Sequence, residues 1–437
     1  MSIVPGGVET DRQPPLSIPL RHFVVALGFL LVGSALGVAH ALGAVSGLAR
    51  LAHVHLLLVG FVCLTIAGAM TQFVPVWSGT DLHSHRLARG QLWLITGGVV
   101  GFAAALLASR PALLPVFGVA MLAGFWTLAY NVGRTLATAR PLDITEQHFV
   151  TALGFFLLLT VLGVALAVGL STPLFPGARG AVVAAHATLA VFGAVLTTVF
   201  GALYQLVTMF GQTELRGSDH ALQRVETVGY PLGVVGLALG RLVANPVLAR
   251  AGAALLLTGS LAFLVVLARR LRDARSDWTP MLARYALLVP ALLCWALLTL
   301  PVWLRTPLGE DALFGAPGTS HLLALVVVLV VVGTLYHVVP FLVWVHRYSD
   351  HLGFADVPMI DDLYDERLAT VDLVLVAGGG TLLVAGDWTA RTDLSLAGGV
   401  ALAVGFVVFA ANLLHVLWRH APDSVRRGRA AETSRDD

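Results

Sequence analysis

Long apolar stretches alternate along this chain with short polar joints. A run of about 20 apolar residues covers the roughly 30 Å of a hydrocarbon core as a helix. Twelve such spans are predicted, at about residues 21–41, 51–77, 90–109, 111–136, 148–170, 181–210, 226–245, 247–270, 281–304, 319–346, 369–387 and 394–418. The expected fold is an all-α polytopic membrane protein, one transmembrane domain over 21–418. It is flanked by an N-terminal segment, 1–20, and a charged tail, 419–437. The first segment is Pro-rich and polar, without the n-region and h-region of a cleaved signal peptide.

The spans repeat. His22-Phe-Val-Val-Ala-Leu-Gly opens the first, and His148-Phe-Val-Thr-Ala-Leu-Gly opens the fifth. Ala52-His53 through Gly68-Ala-Met-Thr-Gln72 in the second matches Ala185-His186 through Gly201-Ala-Leu-Tyr-Gln205 in the sixth. A fainter copy, Ser320-His321 through Gly333-Thr-Leu-Tyr-His337, lies in the tenth. The expected architecture is three quasi-equivalent four-helix units, about 21–140, 141–275 and 280–418. Units of four spans keep one orientation, so the repeats are parallel, and spans 2, 6 and 10 should occupy equivalent inner positions.

Composition agrees. Charged residues are 12% of the chain, half of what a soluble domain carries. Mean hydropathy is +0.84. Cys63 and Cys294 lie inside apolar runs and supply no disulfide framework. Every basic residue is Arg. The joints expected on one side, with the two terminal segments, hold 20 of the 27 Arg. The positive-inside bias places both termini in the cytoplasm of a cell membrane, and no nucleic-acid partner is expected. No Asp or Glu falls in the middle of a predicted span, which speaks against a proton-pumping relay.

Histidines carry the candidate chemistry, because ionisable groups inside a membrane are costly and mark function. Residues two apart on a helix point about 200° from each other. His53 and His55 therefore face different neighbours, which suits flat cofactors on either side better than one metal ion. His186 and His321, at matching depth on other helices, could complete axial pairs. An iron porphyrin takes two axial imidazoles in an apolar slot, and bis-His ligation suits electron transfer. Gly33, Gly37, Gly60 and Gly193 would leave room for a macrocycle. The bland alternative is that these histidines only hydrogen-bond neighbouring helices. His22, His148, His337, His346 and His415 read as snorkelling groups near the inner interface, and Gln72, Gln205 and His337 as helix-end hydrogen-bonding groups.

Twelve spans in threefold repeats, with histidines on the second helix of each unit, resemble the haem–copper oxidase subunit I superfamily. Arg50-x-x-His53, then Gly68-Ala and Val74-Pro75, is similar to the second helix of its cbb3-type and nitric-oxide-reductase branch. The resemblance implies that His53 and His321 are axial ligands of a low-spin haem. It also implies that His186 stands where the family has a ligand of its catalytic metal, and that a cytochrome-bearing second subunit is a partner. Two departures matter. The His-x-His of the family's tenth helix stands here in the second, leaving the choice between His53 and His55 open. The adjacent histidines of the seventh helix are missing, so copper or non-haem iron is not expected: such sites need three or four protein ligands. The expectation is a redox protein with one or two haem b, Arg50 beside the propionates, and an incomplete dinuclear site. It belongs to respiratory electron transfer or to the handling of oxygen or nitric oxide; the resemblance leaves open whether it is catalytic. The rivals are a cofactor-free permease with histidines along its path and a non-catalytic haem sensor.

Overall fold

A computed structural model describes residues 13–139, 141–172 and 174–421. Among them, twelve long helices and no β-strand are present. They are α1 (Ser17–Ala41), α2 (Ala49–Ser78), α3 (His85–Leu107), α4 (Pro111–Leu136), α5 (Ile144–Val168) and α6 (Arg179–Gly211). The rest are α7 (Gly217–Leu242), α8 (Pro246–Arg272), α9 (Pro280–Arg305), α10 (Ser320–Arg347), α11 (Glu366–Thr389) and α12 (Thr392–His420). Eleven are long and apolar enough to cross a membrane. The exception is α7, expected over 226–245, which starts at Gly217 and carries Asp219, Arg224 and Glu226 in its first half. Helix also intrudes on both expected flanks, since α1 begins at Ser17 and α12 reaches His420; 1–12 and 422–437 lie outside the described residues.

Local chemistry sets the helix ends. Asp143 caps α5 through a reciprocal box, its Oδ1 accepting from Glu146 N at 2.8 Å while Glu146 accepts from Asp143 N at 2.9 Å. Pro follows the capping residue at Asn245-Pro246 and Thr279-Pro280, where its missing N–H costs nothing. α2 stops at Gly79 and α6 at Gln212, both in the left-handed region (φ 62° and 51°). These are equivalent positions, 26 residues beyond His53 and His186.

Packing follows the repeat. Each helix packs on its sequence neighbour, and α12 returns to α1 to close the ring. The third and fourth helices of each unit (α3 with α4, α7 with α8, α11 with α12) are its tightest pair. The second helices are the innermost: 67%, 78% and 72% of the apolar stretches of α2, α6 and α10 are buried, against 28% to 61% in the other eight spans. The face where α1 begins and α12 ends is called the termini face below.

α2 and α6 share a further feature. Each changes from α- to π-helical winding, over Leu56–Cys63 and Leu189–Leu196, starting three residues after His53 and His186. A π turn widens the helix and loosens carbonyls from the regular ladder. The Phe192 carbonyl is taken up by the Tyr230 hydroxyl from α7 at 2.7 Å. Gly60 and Gly193 sit at equivalent points of these segments against the rings of Phe29 and Phe155.

Candidate functional site

The four histidines lie at the end of the bundle opposite the termini face, near the starts of α2, α6 and α10. His53 Nδ1 is 2.7 Å from the Gly33 carbonyl of α1, and His186 Nδ1 is 2.9 Å from the Leu159 carbonyl of α5. Gly33 and Leu159 are equivalent, each 11 residues after the histidine that opens its helix. The His53 ring also fills the space over Gly37, as the His186 ring does over the equivalent Gly163. His321 Nδ1 meets the Asp387 carboxylate of α11 at 2.5 Å. His55 Nδ1 meets its own helix at Leu51 O, 2.9 Å away, and its ring packs on Phe102.

A carbonyl oxygen only accepts, so Nδ1 of His53, His55 and His186 carries the hydrogen. In the neutral ring this leaves the Nε2 lone pair free to bind a metal, the arrangement by which backbone carbonyls and carboxylates orient ligand histidines. None of the four makes a hydrogen bond through Nε2 to a described residue.

His53 and His55 have different electrostatic neighbours. His53 lies within electrostatic reach of His321, together with His40 and Arg50. On the opposite side of α2, His55 lies within reach of His186. Arg50 is exposed one turn from His53. The His53–His321 side is exposed: His321 is 42% and Asp387 26% exposed, and Ala324, one turn further along α10, is exposed too. The donors come in twos; among the described residues no three His, Cys, Asp or Glu side chains converge on one point. Two imidazole donors are the number that an axially ligated group takes and fewer than the three or four that a bare ion needs.

Several expectations are corrected. Gly33, Gly37, Gly60 and Gly193 do not line a slot; they receive Leu57, His53, Phe29 and Phe155 in the α1–α2 and α5–α6 contacts. His22 and His148 do not snorkel: both are buried, at 0% and 2% exposure, whereas His346 and His415 are exposed. Gln72 and His337 do not make helix-end hydrogen bonds. Both amide atoms of Gln72 and the His337 Nε2 are buried without a partner. Gln72 lines a water-sized cavity of about 10 Å³, with Trp77, Met209 and Phe341.

Acidic groups do occur inside the bundle. Glu226 and Asp372 are fully buried, and each belongs to a node repeated once per unit. The first helix contributes His22, His148 or Arg284, all anchored to the carbonyl four residues earlier (2.9, 2.7 and 2.9 Å). All three pack over the repeat glycine of the second helix, Gly68, Gly201 or Gly333. Three residues past that glycine stand Thr71, Tyr204 and Tyr336. The third helix supplies Gln91, Glu226 and Asp372. Gln91 Nε2 donates to Thr71 at 3.0 Å, Tyr204 donates to Glu226 at 3.2 Å, and Tyr336 donates to Asp372. His148 Nε2 lies 3.0 Å from both oxygens of Glu226, and Arg284 pairs with Asp372. The sequence signal was available: Arg284-Tyr285 stands where His22-Phe23 and His148-Phe149 stand in the other units.

No protein-family model matches this chain, and a search of curated proteins finds no match.

Proposed function

We propose that this multi-pass membrane protein is a haem-binding redox protein of the cell membrane, with the termini face cytoplasmic. In this reading it is a divergent relative of haem–copper oxidase subunit I, working in respiratory electron transfer or in handling oxygen or nitric oxide. One observation carries the reading. Four imidazoles on three non-adjacent helices lie at one end of the bundle with Nδ1 anchored and Nε2 unbonded to any described residue, His53 within electrostatic reach of His321 and His55 within reach of His186.

His53 and His321 would hold one haem b, and His55 with His186 a second. A bis-His haem supplies one-electron chemistry at a potential that its surroundings set. The chain's own residues do the positioning. The Gly33 and Leu159 carbonyls fix the tautomer and ring plane of His53 and His186. The Asp387 carboxylate does the same for His321 and makes that imidazole the more basic ligand. Arg50, exposed one turn from His53, offers a guanidinium for a carboxylate such as a propionate.

The protein, expressed with haem supply, should show a Soret band and a reduced-state α band. Pyridine haemochrome should give one or two haems per chain. The double variant His53→Ala, His321→Ala should lose one of them, and carbon monoxide binding to the reduced protein should report any five-coordinate iron. A haem-free protein, or a spectrum indifferent to all four histidines, would overturn the reading.

A further inference from the structure

The three buried nodes occupy equivalent places but differ in what they can do with a proton. The first, His22–Thr71–Gln91, has no acid. The third pairs Asp372 with a guanidinium that does not deprotonate in proteins, and Asn412 donates to its Tyr336 hydroxyl. Only the second sets an imidazole against a carboxylate, two groups that can each hold or release a proton. We propose that His148, Glu226 and Tyr204 form a reversible proton-binding site, reached from the termini face.

The hydrogen-bond geometry defines what is bound. Nδ1 of His148 keeps its hydrogen, because its partner is the Ile144 carbonyl. Between His148 Nε2 and the two Glu226 oxygens, at 3.0 Å, there is then place for one proton. Without it, an Nε2 lone pair faces a carboxylate and the node carries one negative charge. With it, the node is neutral: the proton rests on a Glu226 oxygen and is donated to the His148 Nε2 lone pair, so that neither group carries a buried charge. The Tyr204 hydroxyl donates to Glu226 Oε2 in either case, and Thr227 lies 3.4 Å from the same oxygen. Uptake transfers one proton from water to the pair and breaks no covalent bond in the protein.

Two features lie between the node and the termini face. His148 sits four residues into α5, about 6 Å from its start at the termini face by the helical rise. A cavity of about 10 Å³, room for one water, adjoins Tyr204 and Thr208 on α6 and Arg270 at the end of α8. Arg270 in turn pairs with Asp219 at 3.0 Å near the start of α7. Among the described residues the charged and titratable neighbours of Glu226 are His148 from α5, Tyr204 from α6 and Tyr230 from its own helix. Asp143 lies within electrostatic reach of His148, and Asp219 within reach of Tyr204. From α8 come Arg270, across the cavity, and the ring of Phe263 against Tyr204.

The test is a pH titration of the full chain in vesicles, followed by infrared difference spectroscopy between about pH 5 and 9. A protonated-carboxyl band should rise as pH falls, vanish in Glu226→Gln and persist in Asp372→Asn. Tyr204→Phe, which keeps the ring and loses one donor to the carboxylate, should raise the midpoint of that band. The absence of a titrating carboxyl band, its survival in Glu226→Gln, or a midpoint unmoved by Tyr204→Phe would each overturn the proposal. The measurement needs no haem, so a haem-free protein would sink the reading above and leave this one standing.

Discussion

Single residues decide the chemistry at the far end of the bundle through the atoms behind them. His321 is held by Asp387 at 2.5 Å, whereas His53 and His186 lean on backbone carbonyls. Removing the negative charge in Asp387→Asn should weaken haem retention about 10-fold, the lower end of outer-shell effects. It should also raise the midpoint potential, because a less basic imidazole stabilises the oxidised iron less. A haem titration and a redox titration check the two. Gln212 is a different case. It adopts φ 51° where its repeat partner is Gly79, and a non-glycine residue there costs about 1–2 kcal/mol. Gln212→Gly should raise stability by about 1 kcal/mol in reversible unfolding.

At the scale of helices, much was legible and some was hidden. Apolar runs gave eleven spans near their true bounds, because hydrocarbon demands unbroken helix and nothing else competes. α7 escaped the same logic: its polar first half looks like a joint, although Glu226 and Asp219 are buried once α5, α6 and α8 close around them. His148 reads as a snorkelling group near the inner interface for a related reason: its partner Glu226 is 78 residues away, at the very start of the expected span 226–245. The π-wound stretches were illegible for another reason. Leu56–Cys63 and Leu189–Leu196 have the composition of any membrane helix, and their winding depends on neighbours such as Tyr230. Tyr230→Phe removes the shorter of two side-chain hydrogen bonds to the Phe192 carbonyl, leaving the Thr197 hydroxyl at 3.3 Å, and should cost about 0.6 to 1.7 kcal/mol, the range for interhelical hydrogen bonds in membranes. Unfolding in mixed micelles measures the loss, and a loss confined to α6 and α7 in hydrogen exchange would locate it.

The whole molecule is three versions of one unit, and the differences among them are the informative part. The first version keeps its buried node neutral, the second gives it an exchangeable proton, and the third locks it with Arg284 and Asp372. Taking away one member of that last pair leaves an unmatched buried charge. Arg284→Met should cost about 3–5 kcal/mol, and the added Asp372→Leu should recover most of it; a double-variant cycle in unfolding experiments reads both. The closure of the ring by α12 against α1 carries a consequence of its own. Both ends of the described chain emerge side by side, so the order in which the units are strung matters little to their assembly. A gene cut within the 273–279 joint and rejoined across the old ends should still insert as an intact ring, its three buried nodes assembled as before.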